Sequence, residues 1–539
     1  MAASERKDEI TGRNRALGGL KLSRKRADRE AFDGGQAAPS VDALAEQVAI
    51  GLSACTGCGL CNSGAPAYLE TGDPRQSPRG LIAMLIATVS SGRGVSVLDF
   101  AALGPYLDAT FDTERVEAIC PEGVRFNDAL IAARAARMQY LSADRSTRQH
   151  QRLATFADTN VASDLSAKIF QTPRTIAKAA RGAVASGRPA DGGRSVGAVP
   201  PIGDLAAFVK PGIAFTKRAE PRGTVLLLPG MRDRVIRPDV THASIRLLAR
   251  QGFDVVIPAN FACPGSIGEA LGYGNLVRSG RLSIQTAIAK AKSMLDRERP
   301  EGEPSRGIDA LLTTGPVDAA AMRRALHPRP PHARLPPYDL EARHLVAGAQ
   351  DVVSFLADRD FGAPKRWSAM RIGVAETVPT RLDVGRLDGQ LGGLDGASEK
   401  AASAAGHPLT PAATALRRLL SDAGFTARAV TGDASWLATS GLQAWLAPDA
   451  VARLRARFAR SLDATEIDVF AVSEVGSLAL LGEELSVPII HIVELLDWSY
   501  GGPIPPGLEA LAPFIVDVPE PEPADREPSD EYTGTTATA

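Results

Sequence analysis

Three cysteines lie at two-residue gaps in the stretch ACTGCGLCNSGAP, which runs from Ala54 to Pro66. Thiolates at this spacing are typical ligands of iron–sulfur clusters, because a tight loop can place three sulfurs around one cubane. The stretch departs from the full ligand pattern C-x2-C-x2-C-x3-C-P at one point, since Ala65 stands where the last cysteine would precede Pro66. Either the site lacks a ligand or the fourth thiolate comes from a distant segment.

A second ligand run is recognisable downstream in TFDTERVEAICPEG, which keeps only its final Cys-Pro pair. In chains with two such runs, the fourth cysteine of each run ligates the cluster of the other run. Under this rule one ligand set is complete: Cys55, Cys58, Cys61 and Cys120. The other set has lost every cysteine: Ala65, Thr110, Thr113 and Val116. The sequence therefore predicts one [4Fe–4S] cluster on four thiolates and one abolished site.

Other interpretations of the same cysteines stay open. Zinc on four cysteines is one, although C-x2-C-x2-C is tighter than the paired knuckles of zinc sites. A cluster on three cysteines, with an open iron or a non-thiolate fourth ligand, is another, and a dead site with chance cysteines is the last. Gly57 and Gly59 favour a cluster loop, because glycine allows backbone amides to turn inward toward cluster sulfurs.

The composition is that of a soluble protein with several domains. The chain has 539 residues, of which 44% are apolar and 23% charged, and its net charge of −1 gives no electrostatic reason to expect nucleic-acid binding. Its five cysteines, three of them within seven residues, favour a metal site in a reducing compartment over disulfides. No apolar secretory segment follows the basic residues of the first 40 positions. We expect a cytoplasmic chain in which residues 1–40 form a disordered basic arm.

Helices flank both cysteine segments and would position them. Val41–Leu52 and Arg79–Val89 have helical apolar spacing before and after the three-cysteine loop. The stretch FNDALIAARAARMQYL shows the same spacing after Cys120. These helices predict an α-helical domain over residues 41–141.

From residue 223 the pattern changes to alternating strands and helices, which predicts an α/β region with largely parallel strands. The expected strands are TVLLLP, FDVVIPA, IDALLTT, RIGVAE, ARAVTG, IDVFAVS and VPIIHI. RLLARQGF and RLLSDAGF repeat one helix–glycine–strand unit and divide the region into two copies. The predicted segments are connecting helices and linker over 142–222, copies over 223–365 and 366–500, and a tail over 501–539 that is disordered from about 519.

This organisation resembles the iron–sulfur subunit of bacterial glycolate oxidase and, more broadly, relatives of heterodisulfide reductase and of the anaerobic glycerol-3-phosphate dehydrogenase iron–sulfur subunit. The resemblance covers about residues 45–500 and is carried by CTGCGLC, the SPRG turn, Cys120-Pro121 and two degenerate cysteine-rich CCG repeats. It implies an α+β multi-domain fold, in which an α-helical ferredoxin-like domain precedes two α/β CCG-type repeats.

The repeats depart from the family pattern at their thiol positions. Gly-Cys and Cys-Cys-Gly motifs are replaced by Gly230-Met231, Cys263-Pro264-Gly265, Thr439-Ser440-Gly441 and Gly476-Ser477. Cys263 alone cannot hold a cluster, so it is either a relic thiol or a redox thiol. His491 also fits the family pattern near the end of a repeat, and it is either a core residue or a ligand.

The resemblance implies an electron-transfer subunit whose flavin-containing partner oxidises a 2-hydroxy acid such as glycolate or lactate and passes electrons toward quinone or a membrane-associated acceptor. We find no flavin or nucleotide fingerprint in this chain, which favours a non-catalytic subunit over a self-sufficient reductase. The alternative is a structural or docking subunit in which the single cluster only staples the fold. Any association with a membrane would come through partner subunits.

Overall fold

The computed structural model describes residues 40–91, 95–111, 116–117, 119–141, 211–218, 220–230, 233, 237–258, 271–272, 274–298, 306–326, 339–357, 359, 362–374, 411–430, 437, 443–481, 485–509 and 515–517. Several predictions made above fall outside these ranges, namely those on the basic arm, the connecting helices, the distal tail, Thr113, Met231, Cys263 and Thr439-Ser440-Gly441. No helix in the described ranges is both long and apolar enough to cross a membrane.

The first part of the chain is helical. Its helices are α1 (Val41–Leu52), α2 (Pro66–Thr71), α3 (Pro78–Val89), α4 (Val97–Ala102), α5 (Gly104–Asp108) and α6 (Phe126–Leu141). Leu44, Val48 and Leu52 recur at helical spacing on α1, and all three are buried in one apolar core with residues of α3 and α6. This core fixes the helices that flank the two cysteine segments.

The first α/β unit contains a five-stranded sheet. Its elements are β1 (Gly212–Ala214), β2 (Gly223–Leu227), α7 (Pro238–Arg250), β3 (Phe253–Ile257), α8 (Gly274–Arg297), β4 (Ala310–Thr313), α9 (Pro316–Arg324), α10 (Leu340–Ala347), β5 (Gln350–Asp351) and α11 (Val352–Ala357). The strand order is β1-β3-β2-β4-β5, and every pairing is parallel except that of the edge strand β1 with β3. β1 lies in the segment we predicted to be linker, so the sheet begins before residue 223.

The second α/β unit contains a four-stranded parallel sheet. Its elements are β6 (Arg366–Ser368), β7 (Arg371–Val374), α12 (Pro411–Asp422), β8 (Thr426–Ala429), α13 (Gln443–Leu446), α14 (Pro448–Asp463), β9 (Val469–Val472), α15 (Val475–Leu481), β10 (Ile489–His491), α16 (Ile492–Ser499) and β11 (Ile515–Asp517). The sheet order is β10-β9-β7-β8, while β6 and β11 form a separate antiparallel pair. All seven strands expected from the sequence are present in the two sheets.

The two sheets share one topology. In each, the parallel strands follow the spatial order second, first, third, fourth along the chain. The repeated RLLxxxGF motif has the same conformation in both, because Gly252 (φ 98°) and Gly424 (φ 86°) end α7 and α12 in the left-handed region before the next strand. The internal repeat inferred from the sequence therefore corresponds to a repeated supersecondary unit.

The helical part packs on the second α/β unit. Ala67 of α2 and Phe111, which follows α5, are buried in an apolar cluster with Leu454 and Phe458 of α14. The exposed pair of Arg457 and Glu70 lies beside this contact, with 3.5 Å between Nη1 and Oε2. The cysteine segments are thus carried by a domain that is anchored through apolar burial.

Candidate metal centre

The four predicted ligand cysteines line one recess, which is partly open to solvent. Cys55, Cys58 and Cys61 come from the loop between α1 and α2, and Cys120 comes from the segment before α6. Cys58 is exposed and the other three are half-buried. The structure therefore brings together the ligand set that the sequence assigned to the retained cluster.

A backbone contact brings Cys120 to the three-cysteine loop. The Arg125 amide donates to the Gly51 carbonyl at the end of α1, with N···O 3.1 Å. A Cβ on Gly51 would lie 3.0 Å from the Arg125 carbonyl oxygen, so glycine permits this close approach. Both cysteine segments are consequently held against the same helix end.

The walls of the recess are largely apolar. Ile82, Val116, Val124 and Phe126 line it beside the cysteines. Cys55, Cys61 and Cys120 also pack against the core of the helical domain. Burial raises the pKa of the Cys61 thiol, and the charges of Cys55 and Cys58, and more weakly that of Cys120, raise it further. A bound cation would lower the pKa of the thiol again, because coordination deprotonates a thiol outright.

The donor set consists of four thiols, the groups that iron–sulfur clusters take as ligands. Within the described ranges, no three His, Cys, Asp or Glu side chains are arranged to hold one metal ion. The four thiols line one recess, and each cysteine of a [4Fe–4S] cluster binds a different iron. The residues present are thus chemically suited to the cluster predicted from the sequence.

Glycines shape the loop between the ligands. Gly57 (φ 72°) and Gly59 (φ 80°) both have backbone angles in the left-handed region, which residues with a side chain rarely adopt. A Cβ on Gly57 would meet only open space, whereas a Cβ on Gly59 would lie 3.3 Å from Cδ of Arg79. The tight C-x2-C-x2-C turn therefore depends on glycine at both positions.

The SPRG turn docks this loop onto α3. Ser77 caps the helix by accepting from the Gly80 amide at 3.0 Å, and Pro78 occupies the first helical position. The Arg79 amide donates to Asn62 Oδ1 at 3.2 Å, directly after Cys61. Sequence reasoning recognised the motif as a turn but missed Asn62 and Arg79 as parts of the site, although their positions beside the third cysteine and at the helix start were a usable signal.

The positions of the abolished ligand set have packing roles. Ala65 and Val116 are buried, and Thr110 Oγ1 donates to the Tyr106 carbonyl at 2.7 Å. The buried Arg134 guanidinium donates to the carbonyls of Leu107 (2.7 Å) and Thr110 (3.3 Å). Burial lowers the pKa of Arg134 to about 10. A guanidinium and apolar side chains thus surround these positions.

Of the replaced thiol positions of the repeats, the structure describes Ser477, while Gly230 directly precedes the replaced position at Met231. Gly230 lies against the carboxylates of Asp233 and Asp318, which leave no room for a Cβ. Ser477 is buried, and its hydroxyl donates to the Leu437 carbonyl at 2.8 Å.

Glu474, after β9, accepts from the Val317 amide of the first unit at 3.2 Å. Hydrogen bonds therefore join the carboxyl ends of the two sheets, where open α/β sheets commonly bind ligands.

His491 is fully buried at the start of α16. Its Nδ1 accepts from the Val493 amide at 3.3 Å, and its own amide donates to Glu494 Oε2 at 3.3 Å. Burial, and then the Arg237 charge, lower the pKa of His491 to about 3. Its geometry is that of a neutral helix cap.

Buried His491 should make stability depend on pH. An unfolded histidine binds a proton below about pH 6.5, whereas the folded one does so only near pH 3, so stability is lost as pH falls. Acidification from pH 7 to pH 5 should cost about 2 kcal/mol through this residue. The check is urea unfolding at both pH values, in which His491→Asn, which keeps a capping oxygen, should lose this difference. An unchanged pH dependence in the variant would contradict the assignment.

Comparison with known proteins gives one informative match. No family model matches the chain. A solved structure of a hypothetical protein from Helicobacter pylori aligns over 80% of this chain and 69% of its own, with a TM-score of 0.40 and 9% identity. The glycolate oxidase iron-sulfur subunit of Escherichia coli (strain K12) is 26% identical over 267 residues, covering 49% of this chain and 56% of that protein. The chain thus matches just over half the length of this relative, to whose family it is distantly related.

Proposed function

We propose that this chain is an electron-transfer subunit that carries one [4Fe–4S] cluster on Cys55, Cys58, Cys61 and Cys120. The observation that carries the proposal is the meeting of these cysteines in one recess, although they come from two separate segments. The positions of the other ligand set support it, because the described ones take part in packing and hydrogen bonds. The distant relationship to an iron–sulfur subunit points in the same direction.

The side chains around the recess fit this role. When bound, a [4Fe–4S] cluster exchanges one electron with little structural change. Half-buried Cys55, Cys61 and Cys120 would hold it against the apolar core, which limits the access of water. Exposed Cys58 lies on the solvent side and leaves a short path to a docked partner. The cluster would thus be shielded from water by the apolar core and remain accessible to a docked partner.

The partner we propose is a flavin-containing dehydrogenase subunit that oxidises a 2-hydroxy acid of the glycolate or lactate type. The name of the Escherichia coli relative supports this class. The partner would supply electrons to the cluster of this cytoplasmic chain, and quinone or another membrane-associated acceptor would receive them. The chain itself has no flavin or nucleotide fingerprint, so the substrate chemistry belongs to the partner.

A structural or docking role is the second candidate. The described thiol position of the repeats is filled by Ser477, whose hydroxyl donates to the Leu437 carbonyl. Ligation would also tie the three-cysteine loop to Cys120 and so staple the helical domain. In this case the cluster would stabilise the fold without changing its oxidation state during turnover.

Iron analysis and redox titration distinguish these functions. We expect the anaerobically purified chain to contain about four irons and four sulfides, and to give a reversible EPR signal at physiological potentials. A full iron complement without a reducible signal would instead support the stapling role. Stoichiometric zinc without sulfide would contradict both. Copurification of a protein with flavin absorbance would identify the partner class.

A further inference from the structure

Arg79 lies beside the three-cysteine loop. Its side chain lines the recess together with the four cysteines. A Cβ built on Gly59 would lie 3.3 Å from Arg79 Cδ and 3.5 Å from Nη1, so the side chain covers the backbone between Cys58 and Cys61. A positive charge is therefore held beside the ligand loop.

The start of α3 holds the backbone of Arg79 in place. The Arg79 amide is anchored to Asn62 Oδ1, so the residue is tied to the loop through its backbone as well. A Cβ on Gly80 would collide with the Pro74 carbonyl oxygen, which places the first turn of α3 closely against the preceding segment. Each residue of SPRG thus helps to position the guanidinium.

Arg79 has no carboxylate partner among the described residues, in contrast to its neighbour Arg75. Arg75 is also exposed, but Asp73 accepts hydrogen bonds from its Nε (3.0 Å) and Nη2 (2.9 Å). The charge of Arg75 is consequently balanced locally, whereas Arg79 forms no ion pair among the described residues and shares the recess with one carboxylate, that of Glu122.

We propose that Arg79 raises the reduction potential of the cluster, an inference that rests on the proposed function. Reduction adds one electron to a centre already made negative by four thiolates, and a nearby cation stabilises the added charge. The positive end of the α3 dipole acts in the same direction. Arg79 is thus a tuning residue that favours electron transfer from the partner's reduced flavin to this chain.

The test uses the full chain, purified anaerobically, as wild type, Arg79→Gln, Arg79→Lys and Arg75→Gln. Iron and sulfide are measured first, and the reduced fraction is then followed by EPR during dithionite titration. We expect all four proteins to keep their iron. In Arg79→Gln the reduced-to-oxidised ratio at a fixed potential should fall roughly tenfold, or about 59 mV for one electron. Arg79→Lys and Arg75→Gln should remain within about threefold of wild type, and added salt should reduce the Arg79→Gln difference.

The outcomes separate this inference from the function on which it rests. An iron-loaded Arg79→Gln protein with an unchanged potential overturns the tuning role alone. Loss of iron in both Arg79→Gln and Arg79→Lys also overturns it, in favour of a purely structural role. Absence of iron from the wild type overturns the proposed function, and the inference with it.

Discussion

Replacing Cys120 with serine should remove iron from the purified chain as completely as replacing Cys58 with serine. The content should fall from about four irons per chain to fewer than one, because each cysteine would bind a different iron of the cubane and a hydroxyl is a poor substitute for a soft thiolate. Cys120 is distant from the C-x2-C-x2-C loop in sequence, yet it lines the same recess. The measurement is iron and sulfide per chain after anaerobic purification.

Cys263→Ser is the matched control, because it removes a thiol that the ligand assignment does not use. Its iron content should equal that of wild type. Full iron in Cys120→Ser would contradict the four-thiolate site and favour a three-cysteine cluster. Loss of iron from Cys263→Ser, with the fold retained by circular dichroism, would show that the assignment omits a ligand.

The meeting of the four cysteines in one recess was predictable, because it follows from a ligand-spacing rule. The spacing of the first three cysteines and the Cys-Pro pair at Cys120 are visible in the sequence, and the exchange of fourth ligands joins them without knowledge of the fold. The predicted helices and strands rest on periodicity in the same way, as α1 and seven of the eight parallel strands show. Recognisable motifs and periodicity therefore sufficed for these features.

Features that depend on distant approach were not predictable. β1 is a three-residue edge strand whose only described strand partner is β3, so its sequence alone carries little signal. Phe111 precedes Cys120 but is buried among residues of α14, far along the chain. The direction of the Arg79 side chain likewise depends on where Gly59 approaches α3. In each case the partner is brought in by tertiary packing.

The contact between the two α/β units was likewise not predictable from the sequence. Three arginines of α7 or its cap, namely Arg237, Arg246 and Arg250, face Glu494 and Asp497 of α16. These partners are about 250 positions apart, and an arginine in an amphipathic helix gives no indication of its acceptor. The repeat was evident from the sequence, whereas the ion pairs that join its copies required the structure.

Glu494→Gln should destabilise the chain by about 3–5 kcal/mol at pH 7. Arg237 Nη2 donates to both carboxylate oxygens of Glu494, at 2.7 and 2.8 Å, and the exposed side-chain fractions are only 9% and 4%. The variant leaves the guanidinium buried without its counter-charge, which is the costly way to break such a pair. Glutamine keeps an oxygen that can cap α16 in place of the carboxylate, so the loss reports chiefly on charge.

Urea unfolding followed by tryptophan fluorescence, to which buried Trp498 on α16 contributes, measures this effect. Glu341→Gln is the matched control, since its pair with Lys292 is exposed (33% for Lys292 and 53% for Glu341) and should contribute less than about 1 kcal/mol. The double variant Arg237→Met/Glu494→Leu should recover most of the loss, because it removes both buried charges together. Equal stabilities of Glu494→Gln and Glu341→Gln would show that the buried pair does not hold the two α/β units together.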